Sequence, residues 1–322
     1  MKIELAGLDD APEVASRWLL RAVEARAGPA VDASAWHASL EADRRAGRLV
    51  ARLLRLDGRP VGLAAWSAAT AMGTNLDLFY LNAGTASAEA YASALAAVIG
   101  EVGRLVFAPG PLAGVAPAEE ERLMTGLGFA PYGRSEMQLP VARDLPRETS
   151  EGPGRVRGVV ASDLASLAEV HRRAYHDRFD RYLFLQEADE ASDALREVRD
   201  ILDGRFGELD PDGSVVLEIE GKPVAQVLAV RRPDGVLLAD VAVDPGHQGQ
   251  GLGRRTLLES LRRLRAAPAA KRIYLNVTEG NQPAVALYQR LGFARSLGPS
   301  RDWYNTACIP FGPSRASRAP AR

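Results

Sequence analysis

The sequence holds a single cysteine, Cys308, so no internal disulfide can form. Its four histidines, His37, His171, His176 and His247, never fall at zinc-ligand spacing, since His171 and His176 sit five rather than four residues apart. That excludes a structural zinc site. No stretch of about 18 uncharged apolar residues occurs, which excludes a membrane-spanning helix. The opening Met1-Lys2-Ile3-Glu4-Leu5 meets Asp9-Asp10 before any apolar leader core, so the expected location is cytoplasmic, with no membrane partner. An excess of charge of one sign is missing too. The 40 Lys+Arg balance 41 Asp+Glu for a net charge of -1, poor footing for a nucleic-acid binder that works by releasing counterions. Small molecules remain the expected partners, of a monomer or homodimer.

What is present is ordinary globular composition, 47% apolar and 25% charged, over 322 residues, a length that favours about two domains. The two halves echo each other. Leu127-Gly128-Phe129-Ala130 recurs as Leu291-Gly292-Phe293-Ala294, and Gly58-Arg59-Pro60-Val61 as Gly221-Lys222-Pro223-Val224, at nearly the same offset. An acid-led helical opening, Asp9-Asp10 ahead of Val14, Trp18 and Leu19, matches Asp163 ahead of Leu164, Leu167 and Val170. Three matches in one order indicate an internal duplication. Pro, Gly and charge gather from Pro146 to Pro153, which places a linker at 147–153 between domains at 1–146 and 154–312. The small polar residues 313–322 read as a flexible tail.

The C-terminal half alternates between strand and helix patterns. Strands are expected at Val156–Val160, Val215–Ile219, Val224–Val230, Val236–Val243 and Ile273–Val277, and helices at Asp163–His176, Glu190–Leu202, Gly253–Ala266 and Pro283–Leu291. Between the fourth strand and the third helix lies Gln248-Gly249-Gln250-Gly251-Leu252-Gly253. Clustered glycines there expose successive backbone N–H groups beside the positive end of a helix, as a phosphate cradle requires, although a glycine-rich connector has the same spacing. A dinucleotide fold would need its third glycine at Arg254 and an acid about 20 residues on; a Walker A loop would need Gly-Lys-Ser/Thr. Neither is present.

Gln248-x-x-Gly251-x-Gly253, following Val241-Ala242-Val243-Asp244-Pro245, resembles the Q/R-x-x-G-x-G/A element of the GNAT superfamily of N-acetyltransferases. Asn281-x-x-Ala284-x-x-Leu287-Tyr288-x-x-x-Gly292-Phe293 resembles that family's downstream segment, and the two stand in the family's order within residues 155–305. The N-terminal half keeps Leu127-Gly128-Phe129 but has nothing like the glycine loop in Asp77–Ala90, so it resembles the degenerate copy of a tandem GNAT protein. The resemblance implies an α/β fold of mixed α+β type: two GNAT-like domains, each a central mixed, mainly antiparallel sheet flanked by helices. It implies acetyl-CoA as cosubstrate. The residues expected to hold it are Val241, Ala242 and Val243 through their main chain, the loop Gln248, Gly249, Gln250, Gly251, Leu252, Gly253 and Arg254, then Asn276, Asn281, Ala284 and Tyr288.

In the same terms Tyr288 matches the family's general acid, and the alternative for it is a core position on an amphipathic helix. Asn281, just ahead of Pro283, also suits an N-cap. Arg254 and Arg255 open a helix, where cations are unfavourable unless anions lie beside them. For the general base three routes stay open: Asp240, an acid inside an apolar strand; His176, at a helix end; and relayed water. Glu218 and Glu220 could meet a cationic acceptor. The implied function is an acetyl-CoA-dependent N-acetyltransferase, a transferase moving an acetyl group to a primary amine of a small molecule, with a peptide N-terminus as the alternative acceptor. A non-catalytic acyl-CoA-binding sensor or assembly module is the alternative from another class.

Overall fold

The computed structural model describes residues 2–7, 12–26, 33–67, 69–140, 145–146, 152–185, 189–266, 272–296, 300–309 and 312–313. In chain order the first elements are β1 (Ile3–Ala6), α1 (Pro12–Arg26), α2 (Ala33–Arg45), β2 (Leu49–Leu56), β3 (Arg59–Ser67), β4 (Thr74–Leu81), α3 (Ala88–Val102), β5 (Leu105–Ala108), α4 (Pro117–Gly126) and β6 (Phe129–Tyr132). Then come β7 (Arg134–Leu139), β8 (Arg155–Gly158), α5 (Leu164–Tyr175), α6 (Arg181–Phe184), α7 (Glu190–Leu202), β9 (Glu208–Leu209), β10 (Val215–Ile219), β11 (Lys222–Arg232) and β12 (Gly235–Val243). The last are α8 (Leu252–Ala266), β13 (Ile273–Thr278), α9 (Gln282–Leu291), β14 (Ala294–Arg295) and β15 (Asp302–Asn305).

Two sheets result, ordered β1-β2-β3-β4-β5-β15-β6 and β14-β7-β13-β12-β11-β10-β8. Among the described residues each has one parallel pair, β4 with β5 and β12 with β13, and is otherwise antiparallel. The compact units are residues 1–132 with 300–310, and 133–299 with 311–322. This corrects the expected division at 146 and 154, because two strands change sides. β7, inside the expected first domain, pairs with β13, and β15, inside the expected second, pairs with β5 and β6. The copies share one hydrophobic pattern, so strand periodicity does not say which sheet a terminal strand joins. Of the expected linker, 147–151 lie outside the described residues, as do Asp9-Asp10 and 314–322 of the tail.

The repeated motifs are turn and cap chemistry. Asp57-Gly58 and Glu220-Gly221 have positive φ at both residues (50° and 77°, 52° and 75°), the two-residue turn that closes β2–β3 and β10–β11. Gly128 and Gly292 take left-handed φ of 83° and 98° just after α4 and α9, ending each helix before the next strand.

In the second unit α5 and α7 cover one face of the sheet, packing Leu167, Ala194, Val198 and Ile201 against Val216, Leu228 and Tyr274. On the other face α8 buries Leu257, Leu258, Leu261 and Leu264 almost completely, each contributing about 1.5–3 kcal/mol. That packing fixes where the N-terminus of α8 points.

Candidate active site

The site begins with a break in the sheet. β12 and β13 pair only at Val236–Ile273 and Leu237–Tyr274, then part. At the parting β12 carries a bulge: Leu228 opposes Asp240 and Ala229 opposes Leu238, so Ala239 is an extra residue. Because side chains alternate with period two, one extra residue turns Asp240 to the opposite face from Leu238, toward α5. Beyond it the Asp244 N–H bonds back to Val224 of β11 at 2.9 Å. Strand alternation then directs the N–H groups of Val241 and Val243 the other way, into the gap.

The gap opens into a cavity of about 510 Å³. The glycine loop forms one end. Gly249 and Gly251 hold φ of 77° and 78°, and a Cβ on either would meet no protein atom within 4 Å, leaving room for a ligand against their backbone. Gly253 serves differently, since its missing Cβ would lie 3.0 Å from Val243 Cγ2 and hold α8 off β12. Asp244 shapes the entry to the loop, accepting the Gly246 N–H at 2.9 Å while paired to Arg173 at 2.7 Å. Gln248 donates to the Val243 carbonyl at 2.9 Å. Arg178, from the turn after α5, reaches across to Gln248 Oε1 at 3.1 Å and Asn281 Oδ1 at 3.4 Å. Asn281 also accepts the Ala284 N–H as the N-cap of α9.

Lining the cavity together are Val241, Ala242, Val243, Gln248, Gly249, Gly251, Leu252, Gly253, Arg254, Asn276, Asn281, Ala284 and Tyr288. Gln250 is not among them and donates to the Gly246 carbonyl at 3.3 Å instead. Arg255 is likewise taken: its guanidinium donates to the carbonyls of Gly152, Pro153 and Gly154 at 2.8–2.9 Å, tying down the segment before β8. Among the described residues, the cationic side chains lining the cavity are Arg134, Arg178, Arg254 and Arg290, against one carboxylate, Asp180. Such a balance suits a polyanionic ligand.

Tyr288 is 7% exposed and packs its ring 5.8 Å from Phe293. Burial, then the charges of Asp240 and Asp180, push its phenol well above the usual tyrosine range. The proton therefore stays on the oxygen as a hydrogen-bond donor. Asp240 does not line the cavity. It is 2% exposed and accepts from the Tyr175 hydroxyl at 3.0 Å and the Gln226 amide at 2.6 Å, with His171 Nδ1 at 3.3 Å. Burial raises its carboxyl, but the pull of His171 and the hydrogen bonds from His171, Gln226 and Tyr175 outweigh it and hold the group below the usual range. Asp240 thus positions Tyr175, which does reach the cavity. His176 bonds to Glu190 at 2.7 Å and Glu218 to Arg157, both away from the cavity.

Sequence reasoning missed Tyr175, Arg178, Asp180, Phe184, Arg134 and Thr278, which all line the cavity. The run from Tyr175 to Phe184 mixes aromatic and charged residues between two helices, a signal of a functional turn. Its contact with Thr278, 98 residues away, leaves no local trace.

In the first unit the corresponding places are filled. β4 has the same bulge, at Asp77, but the Leu81 N–H donates to the Tyr91 hydroxyl at 3.3 Å. Where the glycine loop would be, the Asn82 carbonyl accepts from Thr85 and Ala86, and Ser87 caps α3 by accepting from Ala90. These donors are already used.

Residues 167–293 match the family model described as Acetyltransferase (GNAT) family. Mycothiol acetyltransferase from Thermomonospora curvata is 39% identical over 89 residues, 27% of this chain and 29% of the relative. Spermine/spermidine N(1)-acetyltransferase from Bacillus subtilis is 43% identical over 51 residues, 16% of this chain and 34% of the relative. The chain thus spans about a third of the length of these curated relatives. Across nearly the whole chain the fold is similar to that of a GCN5-related N-acetyltransferase from Sphaerobacter thermophilus (TM-score 0.60, 15% identity, 94% of this chain and 93% of that one). A tandem GNAT protein from the clavulanic acid biosynthesis pathway gives a TM-score of 0.54 at 17% identity, covering 94% and 97%.

Proposed function

We propose that this chain, a tandem GNAT-fold protein whose second unit carries the GNAT acetyltransferase domain, is an acetyl-CoA-dependent N-acetyltransferase acting on a primary amine of a small molecule. One observation carries the reading: the gap between β12 and β13 runs unbroken into the glycine loop at the N-terminus of α8. A chain of amides ending in a pyrophosphate fits that path, the amides along the strand edge and the phosphates over the loop.

The thioester supplies an activated acetyl group. The N–H groups of Val241 and Val243 face the gap, where one of them can polarise a carbonyl as negative charge develops on its oxygen. The Tyr288 hydroxyl donates a hydrogen bond to the departing thiolate. Its high proton affinity makes full transfer uphill, so the contribution is modest. Arg178 and Arg254 supply positive charge at the phosphate end. The first unit, with its donors internally satisfied, supports the fold without holding a cosubstrate.

Acyl-CoA binding without turnover is the second reading, favoured by the withdrawal of Asp240 from the cavity. Amine-dependent release of CoA thiol decides between the two. Release that saturates with acetyl-CoA supports the enzyme; acetyl-CoA binding without release under any of a broad set of amines supports the sensor.

A further inference from the structure

Asp180 is 6% exposed, and its side chain accepts from the hydroxyl of Thr278. Among the described residues no cationic side chain stands within ion-pair distance of it. A buried carboxylate with one neutral partner is costly unless a cation joins it. Asp180 lines the same cavity as Tyr288, and it is the cavity's one carboxylate among the described residues. Phe184, one helical turn on, packs 5.1 Å from Tyr175, and both rings line the cavity with Asp180. Carboxylate beside aromatic rings is the chemistry that receives an ammonium ion.

The surroundings also limit what the rest of the acceptor can be. Arg134 pairs in register with Thr278 and holds its guanidinium 5.6 Å from the Phe184 ring centre. Arg178 lies two residues before Asp180, bonded to the neutral side chains of Gln248 and Asn281. Arg134 lines the cavity beside Phe184, so a second ammonium on the acceptor would meet like charge there.

Resting on the acetyltransferase reading, we propose that Asp180 binds the acceptor amine as its ammonium ion, which gives one proton to solvent before the neutral amine attacks the thioester, and that the acceptor carries a single positive charge, neutral or anionic beyond the amine, rather than being a polyamine.

The experiment follows CoA thiol release by the full chain with 2-phenylethylamine, glutamate, glucosamine and spermidine as probes. Acetyl-CoA binding is measured in parallel by thermal titration. Expected are a wild type that favours a single-amine probe over spermidine by at least tenfold in kcat/KM, and an Asp180→Asn variant whose amine KM rises at least tenfold with its acetyl-CoA midpoint unchanged. Asp180→Glu should recover part of that loss. Should Asp180→Asn not fold, Arg134→Gln stands in, with an expected gain of at least threefold in relative use of spermidine. An unchanged amine KM in folded Asp180→Asn, no such gain in Arg134→Gln, or a wild type that prefers spermidine overturns the proposal. No thiol release by the wild type with any amine overturns instead the enzyme reading beneath it.

Discussion

Replacing Gly251 by alanine separates the cost of a backbone conformation from the cost of a blocked ligand site. With φ of 78° and no protein atom within 4 Å of the added Cβ, the unliganded variant suffers only left-handed strain, about 1–2 kcal/mol. For a unit of this size that lowers Tm by about 2–8 °C. On the proposed reading, the methyl in the bound state would stand between the loop amides and the pyrophosphate. Losing one charge-assisted hydrogen bond costs about 1.5–3 kcal/mol, roughly 10- to 100-fold in Kd. Acetyl-CoA at 100 times the wild-type Kd stabilises the native protein by about 2.7 kcal/mol, and a 100-fold weaker site leaves about 0.4 kcal/mol. The saturating thermal shift therefore shrinks from several degrees to about one. Gly221→Ala is the matched control, with φ of 75°, an equally open Cβ position and a place in the β10–β11 turn away from the cavity. It should lower Tm similarly and leave the acetyl-CoA midpoint unchanged. Parallel titration curves for Gly251→Ala and wild type would refute the assignment of this loop to the pyrophosphate.

Tyr288→Phe should lower kcat by about 10- to 100-fold with little change in acetyl-CoA affinity, and steady-state kinetics beside thermal titration reads both. Since burial raises the phenol, wild-type activity should show no alkaline limb from Tyr288 below about pH 10. Asp240→Ala strands the Tyr175 hydroxyl and Gln226 amide in the interior and should cost about 3–5 kcal/mol by denaturant unfolding. Because the folded-state pKa of Asp240 lies below its unfolded value, its stabilisation is present above about pH 5 and lost as pH falls through the folded value. Asp240→Asn should flatten that acid limb. Arg255→Ala loses three carbonyl contacts and should destabilise by about 1–2 kcal/mol while acetyl-CoA binding stays as in wild type.

Local features of the second unit were legible because each writes a local signature. α7 and β10 run over the expected Glu190–Leu202 and Val215–Ile219, and Asn281 caps α9 ahead of Pro283 as its spacing implies. The glycine loop was legible for the same reason: backbone conformation there is dictated by the residues themselves. Asp240 was misleading as a base. Its face is set by a bulge at Ala239, and bulges follow from how two strands meet rather than from the residues of one. The exchange of β7 and β15 was hidden because either sheet satisfies their alternation. Asp180 was hidden because its significance lies in Thr278 and Tyr288, far off in sequence.

The internal repeat carries a further lesson about what duplication preserves. The echoed residues, Gly58 with Gly221 and Gly128 with Gly292, lie at turns and helix ends, and even the strand bulge recurs at Asp77 and Ala239. These are the positions at which a fold must be specified. The motifs do not encode which backbone donors are left over once the protein has satisfied its own, and on the proposed reading those are what a cosubstrate would use. In the first unit Tyr91 takes the Leu81 N–H and Ser87 closes the start of α3; in the second, Val243 and the loop ahead of α8 face a cavity. Exchanging Tyr91 for phenylalanine should leave the Leu81 N–H unpaired and cost about 1–3 kcal/mol by denaturant unfolding, without creating a second acetyl-CoA site, because Ser87 and Asn82 still occupy the helix start. A stoichiometry above one acetyl-CoA per chain by calorimetry, in either the wild type or this variant, would refute that account.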